Sequence, residues 1–430
     1  KRKARKNNGA KRDMHYEMEQ EEHDVYPDDP DFDINKARLV TTAPRICVRY
    51  ECVPMRFIKH VYKIHTYAQD GRLFEGKTPV SAFLNSSYDG SFIAGLMELR
   101  YIQSLPVERI INYFESHGFT LKKPTAHKLM EKASSLFENL YKCIRQTALS
   151  DPYKAADETY YKILVPEKNS KGKGVRKGYL WVVVGINTRM IYLLYDDGSR
   201  SEKVILNELG GCKGIIQSDG YSPYRKLESD AYPHITRIPC LQHIKRKFID
   251  CGEDEPDAKR IVELINTLYQ NEHKHKIGVD GWTVEQNLVH RKKYAPDILG
   301  EIKDVLDDIE ERGDLLPKSE LKEAVTYLRN EWNAVVDIFN YGDTYLDNNI
   351  VERMNRYISL SRKNSLFFGS HKGAERGAIL YTIALTCRMN KVNLFEYLTD
   401  VINRTAEWQP NTPLEKYRQL LPDRWEKAND

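Results

Sequence analysis

The stretch from Lys154 to Asp250 narrows the fold more than any other part of the sequence. "KAADETYYKILV", "GYLWVVVGI" and "MIYLLYD" are short segments rich in β-branched and aromatic residues, and they read as three strands. "SEKVILNEL" follows at helical spacing. "GIIQSDGY" and "HITRIP" then read as two more strands, and "CLQHIKRKFID" turns helical. Three strands, a helix and two strands in that order indicate an α/β domain with a mixed sheet.

Helical patterns flank this domain. From Ser91 to Arg145 two of them stand out. Val107, Ile110, Ile111 and Phe114 share a face that ends at Gly118, and Ala126, Leu129, Met130, Ala133, Phe137, Leu140 and Ile144 share another after Pro124. Joined through Gly118, with Lys122, Lys123, Thr125, His127 and Lys128 opening the second, the pair forms a candidate helix-turn-helix. An ordinary bundle with a solvated face fits the same pattern. Residues 256–342 again carry helical faces, such as Ile261, Leu264, Ile265 and Leu268, and Leu321, Ala324, Val325, Leu328, Trp332 and Val335. Upstream, Ile46 to Phe74 alternates weakly and predicts short strands.

The charged residues are unevenly placed. "KRKARKNNGAKR" holds seven Lys/Arg, and "DMHYEMEQEEHDVYPDDPDFD" holds ten Asp/Glu and no Lys or Arg, so residues 1–45 read as a solvated tail or linker. With 430 residues, 41% hydrophobic and 30% charged, the sequence is that of a soluble globular protein. The longest apolar run, "YLWVVVGI", is too short to span a bilayer. No basic segment leading into an apolar stretch opens the sequence, and seven scattered Cys include no C-x-x-C pair, so the expected setting is a reducing cytoplasm. The first residue is Lys, and an N-terminal piece is expected to precede it.

Three carboxylates carry the chemistry. Asp157 falls within the first strand of the sheet and Asp219 at the C-terminal end of the fourth, where open α/β sheets commonly place their sites. A carboxylate in an apolar strand is costly unless it is paired or bound to a cation. Glu352 sits in "DNNIVERMNRYISLSRKN", where Ile350, Met354 and Tyr357 or Ile358 predict a helix with Asn349 as N-cap and Glu352 as the capping-box partner. Capping alone accounts for that Glu, just as turns account for each Asp taken singly. Together, three carboxylates from two strands and a helix are what a pair of Mg²⁺ or Mn²⁺ ions needs for in-line phosphoryl transfer. Arg353, Arg356, Arg362 and Lys363 would lie beside the phosphate, with Lys372 and Arg376 beyond them, and Lys245, Arg246 and Lys247 add a second basic run. The loop "PEKNSKGKGVRKG" adds five more cations.

"AADETYYKILV", "GYLWVVVG", "IIQSDGYSPY", "CLQHIKRKF", "DNNIVERMNRYISLSRKNSLFFGSHKGAERGAILYTI" and "LLPDRW" occur in the order found in the insertion-sequence-sixty-six family of bacterial transposases, which the sequence resembles from about Val53 onward. The resemblance implies an RNase H-like catalytic core whose DDE triad falls on Asp157, Asp219 and Glu352. It also implies a helical insertion before the Glu-bearing helix, DNA ends and target DNA as substrates, a homo-oligomer on DNA, and accessory proteins of the same element. On this reading residues 46–90 are a small β-like segment, 91–150 the DNA-binding helices and 151–255 the first part of the core. Residues 256–342 are the insertion, 343–395 the rest of the core and 396–430 a C-terminal tail region.

Cys240 and His243 match a Cys-x-x-His pair of the family and are expected to be structural, since two ligands do not close a zinc site. Relatives often carry cysteine pairs of zinc-finger type upstream. Here only Cys47, Cys52, His60 and His65 fall in that region, the gap between Cys52 and His60 is short for a finger, and zinc is not expected. Two other readings stay open: an RNase H-like nuclease without strand transfer, and a transposase-derived DNA-binding protein without catalysis.

Overall fold

The computed structural model describes residues 55–427 apart from 62, 64, 70–71, 76–80, 84–85, 169–171, 173, 314, 407 and 410. The charged tail, Cys47 and Cys52 therefore lie outside the described residues. Of the expected upstream strands, an antiparallel pair is present, β1 (Thr66–Gln69) and β2 (Arg72–Glu75).

The helical region follows as α1 (Gly90–Met97), α2 (Val107–Ser116), α3 (Lys123–Leu136) and α4 (Glu138–Ser150), with one π-helical turn at Glu98–Ile102. The single helix expected after Pro124 is broken at Phe137. Ser134 and Ser135 donate their hydroxyls back to the Glu131 carbonyl at 2.7 and 3.4 Å, a local competitor to the helical ladder, and Phe137 leaves helical geometry with ψ near 4°.

The sheet comprises β3 (Tyr153–Leu164), β4 (Val175–Gly185), β5 (Met190–Leu194), β6 (Gly214–Ser218) and β7 (Ile235–Pro239). Their spatial order is β5-β4-β3-β6-β7. The first three form an antiparallel meander, and β6 and β7 add in parallel on the far side of β3. The expected mixed sheet is thus present, with β3 at its centre. Helix α5 (Glu202–Leu209) makes the crossover to β6, the short α6 (Ser222–Arg225) follows β6, and α7 (Leu241–Ile249) follows β7.

Residues 256–342, expected as a helical insertion, carry α8 (Pro256–Glu272), α9 (Val284–Arg312) and α10 (Glu320–Ile338). These helices do not form a core of their own. Leu264, Leu268, Ile302, Leu306, Leu328 and Val335 pack in one buried cluster with Ile215 of β6, Ile238 of β7 and Phe248 of α7. The region between Asp219 and Glu352 is therefore fused to the sheet edge that carries Asp219.

Next come α11 (Asn349–Asn364) and α12 (His371–Met389), packed on β3 and β5 respectively. Residues 396–430, expected as a tail, contain most of α13 (Leu394–Thr405) and then α14 (Leu414–Arg418). Leu394, Leu398, Val401 and Ile402 bury one face, and α1 lies so close that a Cβ on Gly90 would come within 3.1 Å of the Thr399 carbonyl. Among the described residues, no helix is long and apolar enough to cross a membrane.

Candidate active site

Strand β3 crosses the centre of the sheet with Asp157 and Glu158 on opposite faces. One Asp157 oxygen accepts the Glu158 amide at 2.8 Å, and the other accepts Asn355 Nδ2 at 2.6 Å. Burial, with the negative charges of Glu158 and Asp219 nearby, pushes the Asp157 carboxyl up to about 7, against the pull of those two hydrogen bonds. Burial also raises Glu158. It is held by Arg200, whose Nε donates at 3.0 Å, and by the Tyr224 hydroxyl at 3.3 Å.

Asp219 lies one residue past β6. The parallel register pairs Ala155 with Gln217, so Asp157 and Asp219 each lie two residues further along adjacent strands. The Asp219 side chain accepts the Tyr221 amide at 3.1 Å, and its carbonyl accepts Arg237 Nη1 at 3.2 Å. Arg237 is fully buried between Glu228 and Glu331, the latter on α10. Tyr327, also on α10, accepts the Gly220 amide at 2.9 Å, and a Cβ at Gly220 would press into its ring. Helix α10 thus braces the turn that follows Asp219.

Glu352 sits in the first turn of α11, but not in a capping box. The N-cap is Asn348, one residue earlier than expected, and its side chain makes no cap. Its Nδ2 instead donates to the Ala156 carbonyl at 3.0 Å, which ties the helix to β3 one residue before Asp157. Asp347 accepts the Asn349 amide in its place, at 3.1 Å. Asn348, Glu352 and Asn355 follow helical spacing along one face of α11. His243 approaches from α7, its Nδ1 3.8 Å from a Glu352 oxygen.

These residues line one cleft of about 310 Å³, formed by Asp157, Glu158, Thr159, His243, Glu352, Asn355, Arg356 and Ser359. Asp219 is not among the lining residues and reaches the cleft through its charge on Asp157. Four buried polar atoms here have no hydrogen-bond partner among the described residues: Glu352 Oε1, His243 Nδ1, Asn348 Oδ1 and Asn355 Oδ1. Three are oxygen acceptors, and with the crowded carboxylates they fit a bound cation.

The expected basic residues are dispersed. Arg356 enters the cleft, while Arg353, Lys363 and Lys372 are exposed. Arg362 is spent on Tyr160, stacked 3.9 Å from its ring and donating to its carbonyl at 2.5 Å. Arg376 pairs with Glu131 at 2.6 Å and Lys123 with Glu108 at 2.7 Å. These two line a second groove, of about 450 Å³, together with Leu366 and Phe367. Lys122, the N-cap of α3, and Lys128 on that helix are exposed. On α7, Arg246 and Lys247 are exposed and Lys245 is half-buried.

Sequence reasoning missed Glu158, Arg200, Asn348 and Asn355. The helical spacing of Asn348, Glu352 and Asn355 was the available signal for two of them.

The fold and the cleft define a mixed α/β protein with carboxylates gathered beside its central strand. Residues 85–376 match the family model described as "Transposase IS66 family", and the chain belongs to that family. It is similar to three proteins of Sinorhizobium fredii (strain NBRC 101917 / NGR234). It is 25% identical over 346 residues to uncharacterized protein y4jD, covering 77% of this chain and 65% of that protein. It is 24% identical over 438 residues to uncharacterized protein y4hP, covering 92% and 76%. With uncharacterized protein y4qI the figures are 26% over 384 residues, covering 85% and 69%. The chain thus spans about two thirds to three quarters of the length of these relatives.

Proposed function

We propose that the chain is a DDE transposase that cuts and joins DNA at the ends of its element, with Asp157, Asp219 and Glu352 as the triad on an RNase H-like core. The observation that carries this reading is the meeting of Asp157 and Glu352 in one cleft, with Asp219 close enough to raise Asp157. The three carboxylates would hold Mg²⁺ or Mn²⁺, which supplies nucleophile activation and stabilises the leaving oxygen in phosphoryl transfer.

The chain's own residues supply positioning and charge. Asn355 fixes the rotamer of Asp157. Arg356 offers a guanidinium to a phosphate in the cleft. Arg200 pairs with Glu158 and opposes the upward push of burial on its carboxyl. Cleavage breaks a P–O bond by attack of water and frees a 3′-OH. Strand transfer then uses that hydroxyl on a target phosphate. DNA is the partner, read in part by α2 and α3 as a helix-turn-helix, with a homo-oligomer and accessory proteins assembling on it.

The test is cleavage of labelled DNA carrying the element's terminal inverted repeats, with Mg²⁺ or EDTA, by wild type and Glu352→Gln. Metal-dependent cuts and joined products, both lost in the variant, are expected. Cuts without joined product would replace transposase with nuclease, and cuts by Glu352→Gln would remove Glu352 from the triad.

A further inference from the structure

Cys240 is the N-cap of α7 and His243 stands one turn on, so both face the start of α11. Ligand atoms of Cys240, His243 and Glu352 all lie within 4.8 Å of one another. The triplet is closed on one side and open on the other, with Cys240 1% exposed and the His243 and Glu352 side chains 29% and 31%. His243 Nδ1 and Glu352 Oε1 face each other at 3.8 Å, too far to bond, and neither has another partner among the described residues. Two unpartnered buried atoms held at that separation leave room for an ion between them. The Asn348 amide donates to Cys240 Sγ at 3.2 Å, the kind of support that orients a sulfur ligand.

We propose that Cys240, His243 and Glu352 form a three-ligand site for a borderline-soft divalent ion, Zn²⁺ or Co²⁺, with its fourth position open to the cleft. One sulfur, one imidazole nitrogen and one carboxylate oxygen suit Zn²⁺ and Co²⁺, whereas Mg²⁺ takes oxygen ligands. Three protein ligands and an open position are the arrangement of reactive rather than closed zinc sites. Binding releases the Cys240 thiol proton to solvent, and the ion replaces it on sulfur. The proposal deepens the reading of Glu352 as an ion ligand and rests on that reading for its functional meaning. It also replaces the expectation of a purely structural Cys-His pair without zinc.

The test is titration of the chelator-treated full chain with Co²⁺, followed by visible and near-ultraviolet absorption. One equivalent should give a tetrahedral d–d spectrum with a sulfur-to-cobalt charge-transfer band, displaced by Zn²⁺ and not by excess Mg²⁺. Cys240→Ser should lose the charge-transfer band, and Glu352→Gln, at a half-exposed position that tolerates the change, should weaken binding by at least ~10-fold. Asp157→Asn should keep the spectrum. Absence of the band in folded wild type, or its persistence in Cys240→Ser, overturns the site. A cobalt–sulfur band in a protein that does not cleave DNA would keep this site and remove the proposed function. DNA cleavage with Mg²⁺ and no such band would do the reverse.

Discussion

The two sides of the cleft are built on opposite terms. On the sheet side polar groups are answered from within the protein: Asp157 by the Glu158 amide and Asn355, Glu158 by Arg200 and Tyr224, and Asp219 by the Tyr221 amide. On the helix side Glu352 Oε1, His243 Nδ1 and the Asn348 and Asn355 carbonyl oxygens are left over. The sheet side is held by the fold itself, while the helix side has acceptors without a partner among the described residues, and we propose that a ligand takes them. Stability should therefore depend on the first and ligand affinity on the second.

Arg237→Ala should do the most damage to this contrast. It leaves Glu331 buried without its main partner and frees the Asp219 turn, at a cost of about 3–5 kcal/mol in urea unfolding. A loss under ~1 kcal/mol would show that α10 does not brace the sheet side.

Asp157→Asn acts in the opposite direction. The native carboxyl is raised to about 7, above its ordinary value, so the folded state binds the extra proton between those two values. Stability from this group is full below the unfolded value near pH 4 and is lost as pH rises towards 7. The amide removes that loss. The variant should be about 1–2 kcal/mol more stable than wild type at pH 8 and match it near pH 4, with cleavage abolished. A pH-independent difference in Tm would contradict burial and neighbouring charge as the origin of the raised carboxyl. Mg²⁺ or Mn²⁺ should raise the Tm of wild type at pH 8 more than that of Asp157→Asn.

Tyr327→Phe removes one acceptor from the Gly220 amide and should cost ~1 kcal/mol, read by thermal unfolding. Glu352→Gln should change stability least, by less than ~0.5 kcal/mol, because the side chain has little to lose, while cleavage disappears. A large drop in Tm for Glu352→Gln would mean that the helix side is structural after all.

Much of the candidate site was legible because it depends on local pattern. Apolar runs bounded by turns marked out the strands, and the three carboxylates stood out by position, Asp157 as a charge inside an apolar strand, Asp219 just past a strand end and Glu352 at a helix start. What escaped depends on partners far away in sequence. Asn349 looks like the cap of α11, but Asn348 is drawn to a strand carbonyl 192 positions earlier. Glu158 looks like the solvent-facing neighbour of Asp157, yet it is buried against Arg200 and Tyr224, which only the folded sheet brings near. The break at Phe137 was local and readable, since two adjacent serines precede it. Leu394 to Ile402 likewise carries a plain helical face that reading the end of the chain as a tail obscured.

Past the C-terminus of α11, Phe368 hydrogen-bonds to β3 as another strand would, donating to the Lys162 carbonyl at 2.8 Å and accepting from the Leu164 amide at 2.9 Å. With Asn348 fixed to Ala156 before its start, the helix is fastened at both ends to one central strand. Fluctuations that free Glu352 must therefore loosen the centre of the sheet as well, and slow exchange of the α11 amides should follow that of β3. The lifetime of an intact site is then set by the opening rate of the sheet, and not by the fraying of a surface helix.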